Sequence, residues 1–348
     1  MRRATVGTTL VPAMLAVLAV TIGCESVSGP EEEPNPSGRV VAWFNGLGST
    51  VDLYFPDADS LVIQAYNTGN APNDIAYLGD DMIGVVNSST GTLSVYNLSS
   101  TGGSYAEIEF SLGSNPYCLD CHQSNIYVTL LMSGKVAVID RHSWEIEDTF
   151  DVSPNPSGIA IVDDELFVSH ANWPDSTFQG GITVVSASAG NTLDTIATPI
   201  NTLTADYFPE TGSIHAVATT YAGDGTISIV DPGTRSITAT VPTGGSPTTP
   251  TMLGSGRFAA GDGWSSNLVY LYGEDGNVSS TWDCGHNVMG VASFGSDTLY
   301  MTGWNEDLVY VGLSSTQTIL DSLASGDAPQ GIICIDRPPG DGGMLNAK

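Results

Sequence analysis

Short apolar runs separated by turns recur along most of this chain. Between residues 38 and 337 they fall into seven units of about 43 residues. The third run of a unit alternates most cleanly, as at 134–140 and 225–231, which is typical of a β-strand. The fourth run is more polar, as at 145–150. Such polarity suits the outer edge of a sheet, because charge there discourages pairing with other chains.

The order of these units predicts a closed ring. Complete four-strand units begin near residues 70, 114, 154, 200, 245 and 286. The chain begins with only three strands, at 40–44, 51–55 and 61–66, and ends with a lone strand at 331–335. Four antiparallel strands repeated at this spacing are typical of a propeller blade. We therefore predict an all-β, seven-bladed β-propeller of four-stranded antiparallel blades, in which the C-terminal strand completes the first blade.

The second strands resemble the repeat motif of the YVTN family. The likeness is closest at residues 127–130 (YVTL), 167–170 (FVSH) and 300–303 (YMTG). Residues 216–219 and 258–261 depart from the motif, so the blade register is least defined in those two units. The resemblance implies a secreted or surface-attached seven-bladed propeller, and it implies no particular reaction.

The first 37 residues resemble the export segment of a bacterial lipoprotein. Two arginines precede an apolar stretch at 10–22, which is too short for a typical membrane-spanning helix. A small residue then precedes Cys24, as in the lipobox, so residues 1–23 are predicted to be a signal peptide and Cys24 the lipidated residue. A plain signal peptide is the alternative, because Thr21 replaces the usual leucine. Residues 24–37 form an acidic, proline-rich tether.

The remaining domain boundaries and the location follow from these assignments. The propeller is predicted to span residues 38–337, and residues 338–348 to form a flexible tail. The expected location is the bacterial cell envelope, on the periplasmic or extracellular side. There the protein would be lipid-anchored to the outer membrane or at the cell surface, and we expect a monomer.

The charge of the chain limits its partners. The sequence has 9 Lys and Arg against 38 Asp and Glu, which gives a net charge of -29 and a pI of about 4.1. Such a balance repels phosphate backbones and anionic lipid surfaces. Nucleic-acid binding is therefore excluded as a function, and membrane contact is expected through the lipid anchor alone.

Three tryptophans point to a candidate ligand surface. In a propeller, the loops between second and third strands share one face with the links between blades. Trp173, Trp264 and Trp304 lie in such loops. Aromatic rings beside amides and carboxylates suit a glycan, a peptide, a protein or an organic cation, because ring faces stack while amides bind hydroxyls. The predicted ligand-binding set also includes His170, Asn172, Asp262 and Asn305.

These residues predict a non-catalytic binding or scaffold module that uses one loop face. A bland alternative is that the rings plug the channel or cover blade junctions. An enzymatic alternative is a lyase or hydrolase with a site at the channel mouth near His170. No Ser/His/Asp arrangement, Walker loop or HExxH motif appears in the sequence.

The cysteines raise a redox alternative. Cys118, Cys121 and His122 match C-x-x-C-H, the attachment motif of c-type haem. Two thioethers would hold the porphyrin and the histidine would bind iron. Against haem, the motif replaces an innermost strand, so we expect these thiols, like Cys284 and Cys334, to be small buried hydrophobes or to form a strained local bond.

Metal binding has weaker support. Acid pairs occupy predicted turns: Asp57 and Asp59, Asp80 and Asp81, Asp163 and Asp164. None has the ligand spacing of an EF-hand, so solvated turns that cap their own backbone are the default and Ca²⁺ is the alternative. We expect no metal or other cofactor as the main interpretation.

Overall fold

The computed structural model describes residues 38–173 and 180–337. The signal peptide, tether and tail predicted at 1–23, 24–37 and 338–348 lie outside the described residues. The described chain forms seven four-stranded antiparallel sheets, which confirms the predicted all-β, seven-bladed propeller. Within these residues, no helix is long and apolar enough to cross a membrane.

The sheets are the blades, and their strands are called first to fourth from the channel outward. Blade 1 contains β28 (Pro329–Arg337), β1 (Gly38–Asn45), β2 (Thr50–Phe55) and β3 (Ser60–Asn67). Blade 2 contains β4 (Pro72–Gly79), β5 (Met82–Asn87), β6 (Thr92–Asn97) and β7 (Ala106–Glu109). Blade 3 contains β8 (Pro116–His122), β9 (Asn125–Leu130), β10 (Lys135–Asp140) and β11 (Glu145–Asp151). Blade 4 contains β12 (Pro156–Val162), β13 (Glu165–His170), β14 (Gly181–Ser186) and β15 (Thr192–Ile196).

The other three blades have the same internal order. Blade 5 contains β16 (Thr202–Phe208), β17 (Ser213–Ala218), β18 (Gly225–Asp231) and β19 (Ser236–Gly244). Blade 6 contains β20 (Thr251–Gly254), β21 (Arg257–Gly261), β22 (Leu268–Gly273) and β23 (Val278–Asp283). Blade 7 contains β24 (Val288–Ala292), β25 (Thr298–Gly303), β26 (Leu308–Leu313) and β27 (Thr318–Ala324).

The last strand closes the ring as predicted. β28 pairs antiparallel with β1, and the register places Val40 opposite Ile335 and Gly38 opposite Arg337. Ile335 packs between blades 1 and 2, whereas Ile332 packs between blades 7 and 1. A single C-terminal strand therefore supplies apolar side chains to both junctions of the blade that it completes.

The apolar core lies between the blades. The described residues form seven buried clusters, and each joins side chains of two adjacent blades. At the junction of blades 1 and 2, Tyr66 and Tyr96 stack with ring centroids 4.6 Å apart. Successive side chains of a strand point to opposite faces of its blade, so one strand supplies apolar side chains to the junctions with both neighbours.

The ring has two distinct ends. We call the end formed by the second-to-third-strand loops and the links between blades the loop face, and the opposite end the turn face. On the turn face, ion pairs join neighbouring blades: Arg141 lies 2.7 Å from Asp80, and Arg235 lies 2.5 Å from Glu165. These contacts join one blade to the next.

Glycines allow the innermost strands to approach each other. A Cβ atom at Gly290 would lie 2.3 Å from the backbone oxygen of Gln330, and one at Gly158 would lie 2.6 Å from the backbone nitrogen of Ala205. Backbone atoms cannot rotate away as a flexible side chain can. We therefore expect Gly290→Ala to lower the free energy of unfolding by about 1–3 kcal/mol, measured by urea titration.

Gly103→Ala is the matched control for this substitution. A Cβ atom at Gly103 would have no neighbour within 4 Å, so we expect its urea midpoint to stay within error of the wild type. Equal stability of the two variants would contradict the close packing of the first strands at Gly290.

Candidate functional site

Exposed apolar side chains concentrate on the loop face. Of the twelve large apolar side chains that are exposed within the described residues, seven lie there. They are Leu47, Leu112, Met132, Trp173, Ile200, Tyr221 and Trp264. The other five lie on fourth strands or, for Tyr105, directly before one. A concentration of exposed apolar side chains at one end of a protein is typical of an interaction surface.

The two faces also differ in positive charge. Six Lys and Arg residues occur in the described ranges, and five of them lie at the turn face: Arg39, Arg141, Arg235, Arg257 and Arg337. On the loop face, Lys135 begins β10 and pairs with Asp151. The loop face therefore offers aromatic, amide and carboxylate groups with little positive charge, which disfavours an anionic ligand.

One concave feature of the loop face is an aromatic pocket of about 400 Å³. We define the aromatic pocket by Tyr117 of blade 3, Trp173 of blade 4 and Tyr221 of blade 5, with Leu131 and Leu203 in its walls. Trp173 and Tyr221 are 60% and 53% exposed. Among the described residues, no two of the three rings stack on each other.

Hydrogen bonds between two blades position the rings of this pocket. The backbone nitrogen of Asn172 donates to Oδ1 of Asn201, whose own Nδ2 donates to the backbone oxygen of Thr219. The backbone nitrogen of Tyr221 then donates to Oγ1 of Thr219 at 2.9 Å. This chain of contacts links the loop that carries Trp173 to the loop that carries Tyr221.

Tyr221 has an unusual backbone conformation. Its φ is 62°, in the left-handed region that an aromatic residue rarely occupies. Two hydrogen bonds from Thr220 to the Asp224 carboxylate hold the loop in this shape, and they keep the pKa of Asp224 below its usual value. Local strain that the surrounding structure maintains is a feature of ligand-binding loops.

Tyr117 lies at the channel end of the pocket. Burial is the main cause that raises the pKa of its hydroxyl to about 12, and the nearby Tyr221 adds to the effect. Hydrogen bonding with the side chain of Asn73 opposes the shift, and Nδ2 of Asn73 also donates to the backbone oxygen of Tyr117. Tyr117 is therefore a neutral hydrogen-bonding group at physiological pH, where the pocket meets the channel.

The other two predicted tryptophans form a separate pair. The ring centroids of Trp264 and Trp304 are 6.1 Å apart and the rings are inclined by 54°. Trp304 is half-buried against blade 1, because a Cβ atom at Gly46 would lie 3.1 Å from its ring. Trp304 thus covers the junction of blades 7 and 1, whereas Trp264 is 58% exposed. The structure does not place Trp173 beside this pair.

The polar residues predicted to bind ligand occupy different environments. Asn305 is exposed beside Trp304, and Asn172 is half-buried in the aromatic pocket. Asp262 is only 1% exposed, and it accepts hydrogen bonds from the Tyr270 hydroxyl and the Ser266 hydroxyl. Asp262 therefore positions the loop that carries Trp264 and does not face solvent.

His170 is also buried. Its Nδ1 lies 2.9 Å from the backbone oxygen of Pro154, and its Nε2 lies 2.8 Å from Oγ1 of Thr183. Burial lowers the pKa of His170 to about 4, so the ring is neutral at physiological pH. The ring supports the loop of Trp173 from beneath and is not exposed in the pocket.

The C-x-x-C-H motif lies on β8. Cys118 packs with the cluster between blades 3 and 4. Cys121 packs with the cluster between blades 2 and 3, and its Sγ donates to the backbone oxygen of Tyr77. The thiols thus point to opposite faces of the strand, and both are free. Haem attachment to Cys118, Cys121 and His122 stays a prediction. It can be tested by expressing the protein in a host with haem-attachment machinery and recording its absorbance spectrum.

The central channel contains three carboxyl groups that the sequence did not single out. Asp74, Asp120 and Asp206 line a channel of about 560 Å³. Asp74 accepts a hydrogen bond from the backbone nitrogen of Leu119 in the next blade, and Asp120 from that of Ile161. These carboxyls thus satisfy amide groups on the open inner edges of the neighbouring sheets.

Burial in the channel makes these carboxyls weak acids. It raises the pKa of Asp74 to about 6, of Asp120 to about 7 and of Asp206 to about 8. The negative charge of Asp74 adds to the shift of Asp206, whose Oδ2 has no hydrogen-bond partner within the described chain. Within the same residues, no group of three or more ligating side chains is arranged to hold a metal ion.

A Ser–His–Glu contact was likewise not predicted from the sequence. The Ser213 hydroxyl donates to Oε1 of Glu274 at 2.8 Å, and the same oxygen lies 3.1 Å from Nε2 of His215. Nδ1 of His215 lies 2.9 Å from the Tyr272 hydroxyl. A catalytic relay needs the acid and the serine on opposite ring nitrogens. Here both contact one nitrogen, so the group joins blades 5 and 6 and is not a triad.

Similarity to solved structures agrees with the architecture. Apo AztD from Citrobacter koseri has a TM-score of 0.62 at 10% identity, over 86% of this chain and 98% of that chain. Hydrazine synthase from Kuenenia stuttgartiensis has a TM-score of 0.62 at 12% identity, over 78% and 95%. The computationally designed protein Ika8 has a TM-score of 0.55 at 11% identity, over 74% and 76%. No family model and no curated protein matches this chain. At these identities the likeness shows the fold alone, a seven-bladed β-propeller.

Proposed function

We propose that this protein is a non-catalytic binding module that docks a protein, peptide or glycan partner on its loop face. The observation that carries the proposal is the position of the exposed apolar side chains, seven of twelve of which lie on that face. Aromatic anchors surrounded by polar groups supply most of the affinity of typical interfaces. The ion pairs between blades lie at the opposite end, so the turn face has a structural role instead.

The proposal also places the protein in the bacterial cell envelope. The apolar stretch at 10–22 and the small residue before Cys24 support export and acylation. The likeness of the second strands to the YVTN repeat supports a surface-attached propeller. Mass spectrometry of the mature N-terminus tests the lipid anchor. An N-terminus that is unmodified, or that begins at a residue other than Cys24, would contradict it.

The aromatic pocket and the tryptophan pair are two separable parts of the proposed surface. The test uses two double variants, Trp173→Ala with Tyr221→Ala and Trp264→Ala with Trp304→Ala. The probes are an array of neutral bacterial glycans and a displayed random peptide library. We expect the first double variant to weaken retained probes at least about tenfold, because each truncated aromatic anchor costs more than about 1 kcal/mol.

The control is Leu193→Ala with Leu320→Ala, which removes exposed apolar side chains from fourth strands. We expect this variant to retain the probes, and the Trp173/Tyr221 variant to unfold at the wild-type temperature because both rings are exposed. Some loss of stability is expected at Trp304, which packs against Gly46. Retention of every probe by both loop-face variants, or equal loss in the control, would contradict the proposal.

A further inference from the structure

Trp173 separates two adjoining cavities of the loop face. One is the aromatic pocket, and the other is a groove of about 660 Å³ between blades 2 and 3. We define the acidic groove by Glu107 and Glu109 on β7, with Phe110, Leu112 and Met132 in its apolar walls. One exposed indole thus forms part of both cavities, so a single extended ligand can contact both.

The two carboxylates of the acidic groove point the same way. Glu107 and Glu109 are exposed and separated by one residue, so they project from one face of β7, while Ile108 between them is buried. Within the described residues, no Lys or Arg forms an ion pair with either carboxylate. The groove therefore presents two adjacent negative charges that a cationic group can neutralise.

From this juxtaposition we infer that the loop face binds an extended peptide segment in which Lys or Arg lies close to an aromatic or large aliphatic residue. The apolar side chain occupies the aromatic pocket. The basic side chain crosses Trp173 and pairs with Glu107 and Glu109, and a guanidinium can stack on the exposed indole. The inference deepens the proposed function and rests on it.

A peptide fits these cavities better than a glycan does. The acidic groove requires a fixed positive charge, which arginine and lysine side chains supply and most sugar units lack. The aromatic pocket by itself accepts a sugar ring or an apolar side chain. Only a chain that carries both an apolar and a cationic group at short spacing satisfies the two cavities together.

In the test, a displayed random peptide library is selected for binding to the full mature protein. We expect enrichment of sequences with Lys or Arg within about three residues of Trp, Tyr, Phe or Leu, since an extended residue spans about 3.3 Å. A synthetic copy of the most enriched peptide is then titrated by calorimetry. Its affinity should fall when NaCl rises from about 50 to about 500 mM, because the ion pairs are exposed.

Matched variants separate charge from structure. Glu107→Gln with Glu109→Gln should weaken the binding of the peptide by about three- to tenfold and remove most of the salt dependence. The control, Glu145→Gln with Glu147→Gln, changes an exposed glutamate pair with the same spacing at the turn-face end of β11 in blade 3 and should leave the affinity unchanged. Both are exposed, near-isosteric changes, so their unfolding temperatures should match that of the wild type.

The outcomes distinguish this inference from the proposed function. If enriched peptides lack basic residues, or if the Glu107/Glu109 variant binds as the wild type does while Trp173→Ala abolishes binding, the inference fails and the proposed function stands. If only neutral glycans are retained and Trp173→Ala releases them, the inference also fails in favour of a glycan. If no probe depends on any loop-face residue, both fail.

Discussion

A chain that ends at Ala328 should not unfold cooperatively. Loss of β28 would leave the inner edge of β1 unpaired and would remove Ile335 and Ile332 from the two junctions of blade 1. A three-stranded blade cannot close the ring, and an open apolar edge favours aggregation. We expect the far-ultraviolet circular dichroism melt to lose its sigmoidal transition and ANS fluorescence to rise several-fold over the intact chain.

The control for this truncation ends at Arg337, which removes only the predicted tail and keeps the strand. We expect its melting temperature to equal that of the full chain. A cooperative melt of the chain that ends at Ala328, within a few degrees of the control, would contradict the closing role of β28.

Raising the pH from 6.5 to 8 should destabilise the protein. Asp120 and Asp206 have pKa values of about 7 and about 8 in the folded ring, whereas in the unfolded chain both carboxyls are ionised throughout this window. The folded state therefore binds more protons, and its free energy of unfolding falls as the pH rises. Each such carboxyl contributes up to about 1.4 kcal/mol per pH unit.

Between pH 6.5 and 8, the effect of the channel carboxyls on stability can be measured apart from that of the buried histidines. His170 and His215 have pKa values lowered to about 4, so they destabilise the fold only as the pH falls below the usual histidine range. The opposite signs predict maximal stability in mildly acidic solution. Thermal melts at steps of half a pH unit would measure the slope.

Asp206→Asn should flatten that slope. The amide is neutral at every pH, so it removes one buried titration and the repulsion that Asp74 and Asp120 exert on Asp206. We expect a higher melting temperature than wild type at pH 8 and a smaller difference at pH 6.5. Asp163→Asn, in an exposed turn, is the control and should keep the wild-type slope. An identical slope for Asp206→Asn would contradict the buried, protonated state of this carboxyl.

The fold could be predicted because the repeat appears in local sequence. Successive side chains of strands such as β10 and β18 point to opposite faces, which shows which of them enter each blade junction. The three strands at the start of the chain and the single strand at its end show how the ring closes. The short first strand of blade 6, Thr251–Gly254, was harder to place. A link that contains Pro247 and Pro250 precedes it, and proline cannot donate to a strand ladder.

The candidate site was only partly predictable. Trp173 and Trp264 were identified from loop position, and both are exposed there. Tyr221 was missed because its unit departs most from the repeat, although its position just before the third strand was a usable signal. The packing of Trp304 on Gly46 depends on ring closure, which brings together residues that are far apart in sequence.

The channel carboxyls were missed for a different reason. An aspartate in a strand, such as Asp120 or Asp206, carries no local sign that its side chain will face the unpaired amides of a neighbouring blade. That contact exists only after the sheets are arranged around an axis. The pKa values, and with them the predicted pH response, therefore required the three-dimensional structure.

The pairing of Gly38 with Arg337 has a practical consequence for handling the protein. Both residues lie at the turn face, because β1 runs from Gly38 toward the loop face and β28 runs back. Any linker, affinity tag or surface coupling attached before the first strand or after the last one therefore joins the ring at the turn face. Immobilisation through either terminus leaves the aromatic pocket and the acidic groove oriented toward the solution.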